Sequence, residues 1–156
     1  MNIHKDTFTF LQPGALIDGD LELILRKTIP GDPEKNWAPA YDFEMRRTGT
    51  SRKIGDINLR IGNMDHIVKY GGHIGYAVDP PYRGHHYAAR SCKLLFPFAQ
   101  RHGLNILWIT CNPDNIASRR TCELAGGILI EIVDLPEDND MYKEGDRQKC
   151  RYRFDL

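Results

Sequence analysis

The stretch Val78-Asp79-Pro80-Pro81-Tyr82-Arg83-Gly84-His85-His86-Tyr87-Ala88 decides how this chain folds. The residues before it, His73 to Val78, read as a strand, and Pro80-Pro81 stops that strand because proline has no N–H to give a ladder. From about Gly84 to His102 the spacing of Ala88, Cys92, Leu95 and Ala99 predicts a long helix with one inward face, bent at Pro97 and ended by Gly103. A strand that breaks into a basic, glycine-containing turn and then a helix leaves free backbone N–H groups at the helix N-terminus, where the dipole favours anions. That combination is a phosphate cradle. Arg83 adds a fork of donors matched to phosphate oxygens, and Gly84 has no Cβ to hold a pyrophosphate off the backbone.

Working outward, Ile106 to Cys111 is a continuous apolar run, expected to be a strand covered on both faces. Asn115 is a good N-cap for a helix that reaches Ala125, with Gly126 at its C′ position. Ile128 to Leu135 is a strand candidate, a polar loop follows through Lys149, and Cys150 to Leu156 alternates as a closing strand. On the other side, Leu21 to Thr28 is a strand candidate, while Ile29 to Pro39 is broken by Pro30, Gly31, Pro33 and Pro39. Tyr41 to Arg46 and Asp56 to Ile61 alternate with period two around a turn at Thr48 to Ser51, as half-buried antiparallel strands do. The order implies an α/β (α+β) fold, a mixed, mostly antiparallel sheet of about seven strands with helices packed on it. The phosphate-binding turn then lies at the carboxyl end of the fourth strand, where ligands of open sheets bind.

With 156 residues the chain makes one domain, residues 1–156. Its 21 basic residues balance 21 acidic ones, which leaves no electrostatic footprint for nucleic acid. No run approaches the length of a membrane span and Met1 to Asp6 lack the apolar core of a signal peptide, so no membrane role and a cytoplasmic location are expected. Cys92, Cys111, Cys122 and Cys150 have no CxxC spacing and fit a reducing compartment. No metal is expected: His85 and His86 are adjacent, diverge on a helix and lack a third ligand.

Arg83 and Ala88, followed by Asn115-x-x-Ser118 and Glu123-Leu124-Ala125-Gly126-Gly127, resemble the acyl-CoA-binding core of the GNAT superfamily of N-acetyltransferases, particularly the branch containing ribosomal-protein N-terminal acetyltransferases. His86 stands where that family usually has glycine. It is expected in the first helical turn, with a negative φ that tolerates a side chain. The resemblance implies acetyl-CoA as acyl donor, held by Ala77, Val78, Arg83, Gly84, His85, His86, Tyr87, Ala88, Asn115 and Ser118. It implies transfer of the acetyl group to a primary amine, on a small molecule or a protein N-terminus, by direct attack in a ternary complex. It also implies an oxyanion held by backbone N–H groups around Ala77 and Val78.

An amine with a pKa of about 10.4 must lose a proton before it attacks. His73 is the first candidate base, with Glu44, Asp56 and Asp79 as others, although polar residues at strand edges usually just face solvent. Many family members carry a tyrosine seven positions after the capping asparagine to protonate the leaving thiolate; here that position is Cys122, a candidate acid or a core residue. The family's helices between its first two strands do not fit in Ile29 to Pro39, so the acceptor side is expected to be open or completed by a second copy in a homodimer. The missing tyrosine and the shortened N-terminal part also fit a non-catalytic CoA-binding or sensing module.

Overall fold

The first half forms β1 (Ile17–Asp18), β2 (Leu21–Ile29), β3 (Ala40–Arg47), β4 (Lys53–Arg60) and β5 (Ile74–Val78), which pair antiparallel in the order β1-β2-β3-β4-β5 with register shifts between Leu25 and Lys27 and between Met45 and Arg46. Leu21, Leu23, Tyr41, Phe43, Met45, Ile57 and Leu59 are buried on one face, while Asp42, Glu44, Asp56 and Asn58 share the other. The structure, a computed structural model, describes residues 8–156; the reading of Met1 to Asp6 falls outside them. Between β2 and β3 the chain holds only a 3-10 turn, Pro33–Lys35, capped by the Asp32 side chain, so the segment is as short of helix as its prolines require. The β3–β4 hairpin turns through Gly49, whose φ of 74° suits glycine.

Helix α1 (Tyr87–Arg101) covers the apolar face, and Ala88, Cys92, Leu95 and Ala99 all point inward as their spacing predicts. Phe98 meets Tyr41 edge-on at 4.8 Å between ring centres. Fully buried rings of this size each contribute about 1.5–3 kcal/mol. The helix starts later than the apolar spacing suggests. Gly84 and His86 have φ values of 91° and 60°, so the turn reverses twice before helical geometry begins. The expectation of a negative φ at His86 is therefore wrong: the residue is the N-cap of α1, in the left-handed region where the family's glycine is at ease.

The second half forms β6 (Ile106–Cys111), α2 (Ile116–Leu124), β7 (Ile128–Asp134), the short α3 (Asp140–Lys143) and β8 (Gln148–Asp155), with an antiparallel sheet in the order β6-β8-β7. β6 is not covered on both faces. Leu107, Ile109 and Cys111 are buried, whereas Ile106 is exposed and Trp108 and Thr110 are half-buried, so the strand alternates despite its apolar sequence. Among the described residues the strands form the expected mostly antiparallel α/β arrangement, laid out as sheets of five and three with no ladder between β5 and β6. Among the described residues no helix is long and apolar enough to cross a membrane.

Candidate active site

The gap between β5 and β6 starts at His73. Its backbone N–H donates to Trp108 O at 2.7 Å, and the Trp108 N–H donates to His73 Nδ1 at 2.9 Å. Since Nδ1 must accept, the neutral ring carries its proton on Nε2, which donates to Gly62 O at 3.0 Å. Burial holds the imidazole pKa down at about 4. A buried ring whose only lone pair is taken by a backbone amide cannot accept a proton from an amine, and His73 lies outside the cleft described below. His73 joins the strands, correcting its reading as a base.

Beyond His73 the strands separate and β5 becomes an edge. The bonds Arg60 N to His73 O and Asp79 N to Ile54 O set the phase of the β4–β5 ladder. By alternation, the amides of Gly75 and Ala77 turn toward β4, and those of Tyr76 and Val78 point into the gap. Of the two amides expected to hold an oxyanion, Val78 faces the gap and Ala77 does not; the other outward amide is that of Tyr76. The Val78 carbonyl, free of β4, accepts Arg83 Nε at 3.1 Å.

A cleft of about 600 Å³ opens here between β5, the start of α1 and one side of α2. Tyr76, Ala77 and Val78 make its floor, Arg83, Gly84 and His86 its turn, and Tyr87 and Ala88 the first turn of α1. Asn115 and Ser118 come from α2, where the Asn115 side chain accepts the Ser118 N–H at 3.1 Å and caps the helix. Nine of the ten residues expected to bind the donor line this one cleft, and His85, outside it, stands beside the Tyr87 ring. Arg120 also lines the cleft, exposed on α2. The spacing Ala117, Arg120, Thr121, Leu124 marks that helical face, and the period-two relation of Tyr76 to Val78 marks the floor; neither was followed to the site from the sequence. The donor set fits a phosphorylated ligand with a long arm: two guanidinium groups and a helix N-terminus at the mouth, and a mostly apolar interior.

Cys122 is fully buried beyond Ser118 and does not line the cleft. A hydrogen bond to Cys111 and then burial push its thiol pKa well up, and its place away from the cleft fits the reading of Cys122 as a core residue. On the sheet face away from α1, Glu44 pairs across to Asp56 and Asp56 to Ala77. This carboxylate row ends at the floor of the cleft, with Glu44 held by Arg46 at 2.8 Å and Asp56 by Lys53 at 3.0 Å. No group of three or more histidine, cysteine or acidic residues suited to a metal occurs among the described residues.

The family profile of the acetyltransferase (GNAT) domain matches residues 8–128. The chain belongs to the GNAT acetyltransferases. Among solved GNAT structures it resembles the microcin self-immunity acetyltransferase MccE in complex with acetyl-CoA and AMP, with 15% identity, a TM-score of 0.58 and coverage of 75% of this chain. The match covers 61% of MccE, so this chain spans less than two thirds of that protein's length. It also resembles a putative ribosomal-protein-serine acetyltransferase from Vibrio cholerae, at 15% identity and TM-score 0.65 over 94% of this chain and all of that one (100%). The RimL ribosomal-protein α-N-acetyltransferase in complex with coenzyme A matches with 15% identity and TM-score 0.66, over 91% of this chain and 98% of its own. At such identities the likeness shows the GNAT fold alone. Comparison with curated proteins finds no match.

Proposed function

We propose that the protein is an N-acetyltransferase that binds acetyl-CoA in the cleft between β5, α1 and α2 and passes the acetyl group directly to a primary amine. The observation that carries this reading is the cleft itself, which joins a basic helix N-terminus to a strand edge with two outward amides. Arg83, Arg120 and the N–H groups opening α1 hold the phosphates. The amides of Tyr76 and Val78 stabilise the oxyanion as the amine nitrogen bonds to the carbonyl carbon. The amine approaches over Gly75 and Ala77 from the opposite sheet face, where Asp56, backed by Glu44, takes its proton.

Two tests decide. Arg83→Ala removes a charge-assisted phosphate contact of about 1.5–3 kcal/mol, so calorimetry should show acetyl-CoA affinity falling roughly ten- to hundredfold. An unchanged Kd with the fold intact would take the turn out of the site. A CoA-release assay over small amines and peptides with free N-termini then identifies the acceptor; acetyl-CoA binding with no thiol release from any of them would make the chain a non-catalytic CoA-binding module.

The same reading places the protein in the cytoplasm, a location supported by four free, buried cysteines, and makes it a homodimer. β7 is the outer strand of its sheet, and Ile128, Leu129, Ile130 and Ile132 are 38–53% exposed along it. A second β7 pairing antiparallel about a two-fold axis covers this edge. Light scattering over a concentration series should give the dimer mass, and a fully active monomer would refute it.

A further inference from the structure

Three of the four cysteines converge where β6, α2 and β8 meet. Cys111 closes β6 opposite Cys150 on β8, and Cys122 reaches Cys111 from α2 through a hydrogen bond. The bond from Leu156 N to Asn105 O sets the phase of the β6–β8 ladder. By alternation Leu107–Phe154, Ile109–Tyr152 and Cys111–Cys150 are its hydrogen-bonded pairs, with Cα atoms about 5.5 Å apart and side chains on one face. That spacing lies within the roughly 4.4–6.8 Å that a disulfide bridges. Only Cys111 keeps any solvent exposure, 5% against 0% for Cys92, Cys122 and Cys150, so it is the thiol an oxidant meets first. Arg119 on α2 is held by Tyr152 Oη at 3.2 Å and Pro113 O at 3.3 Å, and its positive charge acts on both Cys150 and Cys111. The hydrogen bond from Cys122, helped by Ser118, Arg119 and Cys150, outweighs burial and holds the Cys111 thiol below its ordinary value.

We propose that Cys111 is an oxidation site: hydrogen peroxide converts its thiolate to a sulfenic acid, and Cys150 then closes a disulfide across β6 and β8. In the first step the Cys111 sulfur bonds to one peroxide oxygen, the O–O bond breaks, and the hydroxide that leaves takes a proton from solvent. In the second the Cys150 sulfur attacks the Cys111 sulfur, the S–O bond breaks, and the oxygen departs as water carrying the Cys150 proton. The two sulfurs together give up two electrons, and the peroxide is reduced to two waters. Cys122 keeps its proton throughout and is the donor that makes Cys111 the nucleophile of the three. Opposite residues of a ladder hold their Cβ atoms wider apart than a relaxed disulfide does, so the closed bond pulls on the sheet and reducing thiols reopen it readily. The site needs no ligand, and it stands whether or not the cleft binds acetyl-CoA.

The test treats the reduced full chain with hydrogen peroxide at about one equivalent, quenches it in acid, alkylates it in denaturant and digests it for mass spectrometry. The wild-type protein should lose two alkylatable thiols and yield a linked peptide joining Cys111 to Cys150, which dithiothreitol abolishes. In Cys150→Ser the reaction should stop at a Cys111 sulfenic acid, captured by dimedone added before the quench. Cys122→Ala removes the donor and should slow formation of the linked peptide roughly three- to tenfold, as a thiol pKa higher by about one unit does. An unchanged rate in that variant would overturn the role of Cys122. Four alkylatable thiols in the treated wild-type protein would overturn the site, and a peptide joining Cys111 to Cys122 instead would overturn the pairing read from the ladder. Both of these results are read on the wild-type chain, so they decide even where a variant does not fold.

Discussion

The two ends of the gap between β5 and β6 are built oppositely. At the near end His73 ties the strands with a backbone bond in one direction and an imidazole bond in the other, and Gly72 lies so close to β6 that a Cβ would sit 3.1 Å from Trp108 O. At the far end no bond crosses; the Tyr76 ring spans from β5 to α2, and the outward amides are unpaired by any strand. The difference lies in what receives the next N–H. At the near end an imidazole nitrogen, rather than a backbone carbonyl, receives the Trp108 N–H, and beyond it β5 and β6 form no ladder.

Undoing the tie should have the largest effect. His73→Ala strands the Trp108 N–H and Gly62 O in the interior and leaves a void, a loss of about 2–5 kcal/mol by denaturant unfolding. The wild-type protein should also show a pH signature that this variant lacks. The His73 pKa is depressed to about 4 when folded, so below its ordinary value of 6.5 the unfolded chain binds a proton that the folded one refuses. Its contribution is complete above that value and is lost as pH falls toward about 4, by up to roughly 3 kcal/mol. A flat wild-type profile across that window would mean that the ring is not held neutral.

The far end should respond less. Cys122→Ala removes one buried sulfur beside Ser118 and Cys111, so stability should fall by about 1–2 kcal/mol while kcat stays near normal. A large fall in kcat at unchanged thermal stability would return Cys122 to the chemistry.

The near-local features of this molecule were legible from sequence and the non-local ones were not. Alternation at Tyr41 to Arg46, the inward face of α1 and the Asn115 cap all depend on residues a few positions apart, and the structure holds them as expected, whereas the turn Arg83 to Ala88 departs from expectation at His86. The alternatives at His73 and Cys122 could not be separated from sequence because their surroundings depend on partners far along the chain. Trp108 lies 35 residues from His73 and supplies the amide that occupies its nitrogen. The apolar run Ile106 to Cys111 suggested a strand covered twice, since periodicity cannot reveal that its neighbour pulls away. Tyr76 was passed over for a related reason: its partner Ser118 is 42 residues away.

The smallest effect belongs to the rim of the open end, where His86 caps α1 with φ 60° and makes no side-chain capping bond. A residue with a Cβ in this region costs about 1–2 kcal/mol, and glycine avoids that cost while giving back about 0.5–1 kcal/mol through the freedom of the unfolded chain. His86→Gly should therefore stabilise the protein slightly, raising Tm by roughly 2–4 °C for each 1 kcal/mol gained. The imidazole also lines the cleft beside Arg83, so its removal should weaken acetyl-CoA binding modestly. Calorimetric scans with and without acetyl-CoA separate the two effects. A lowered Tm in the free protein would mean that contacts of the imidazole outweigh the backbone strain, and the histidine would then be a structural part of the turn.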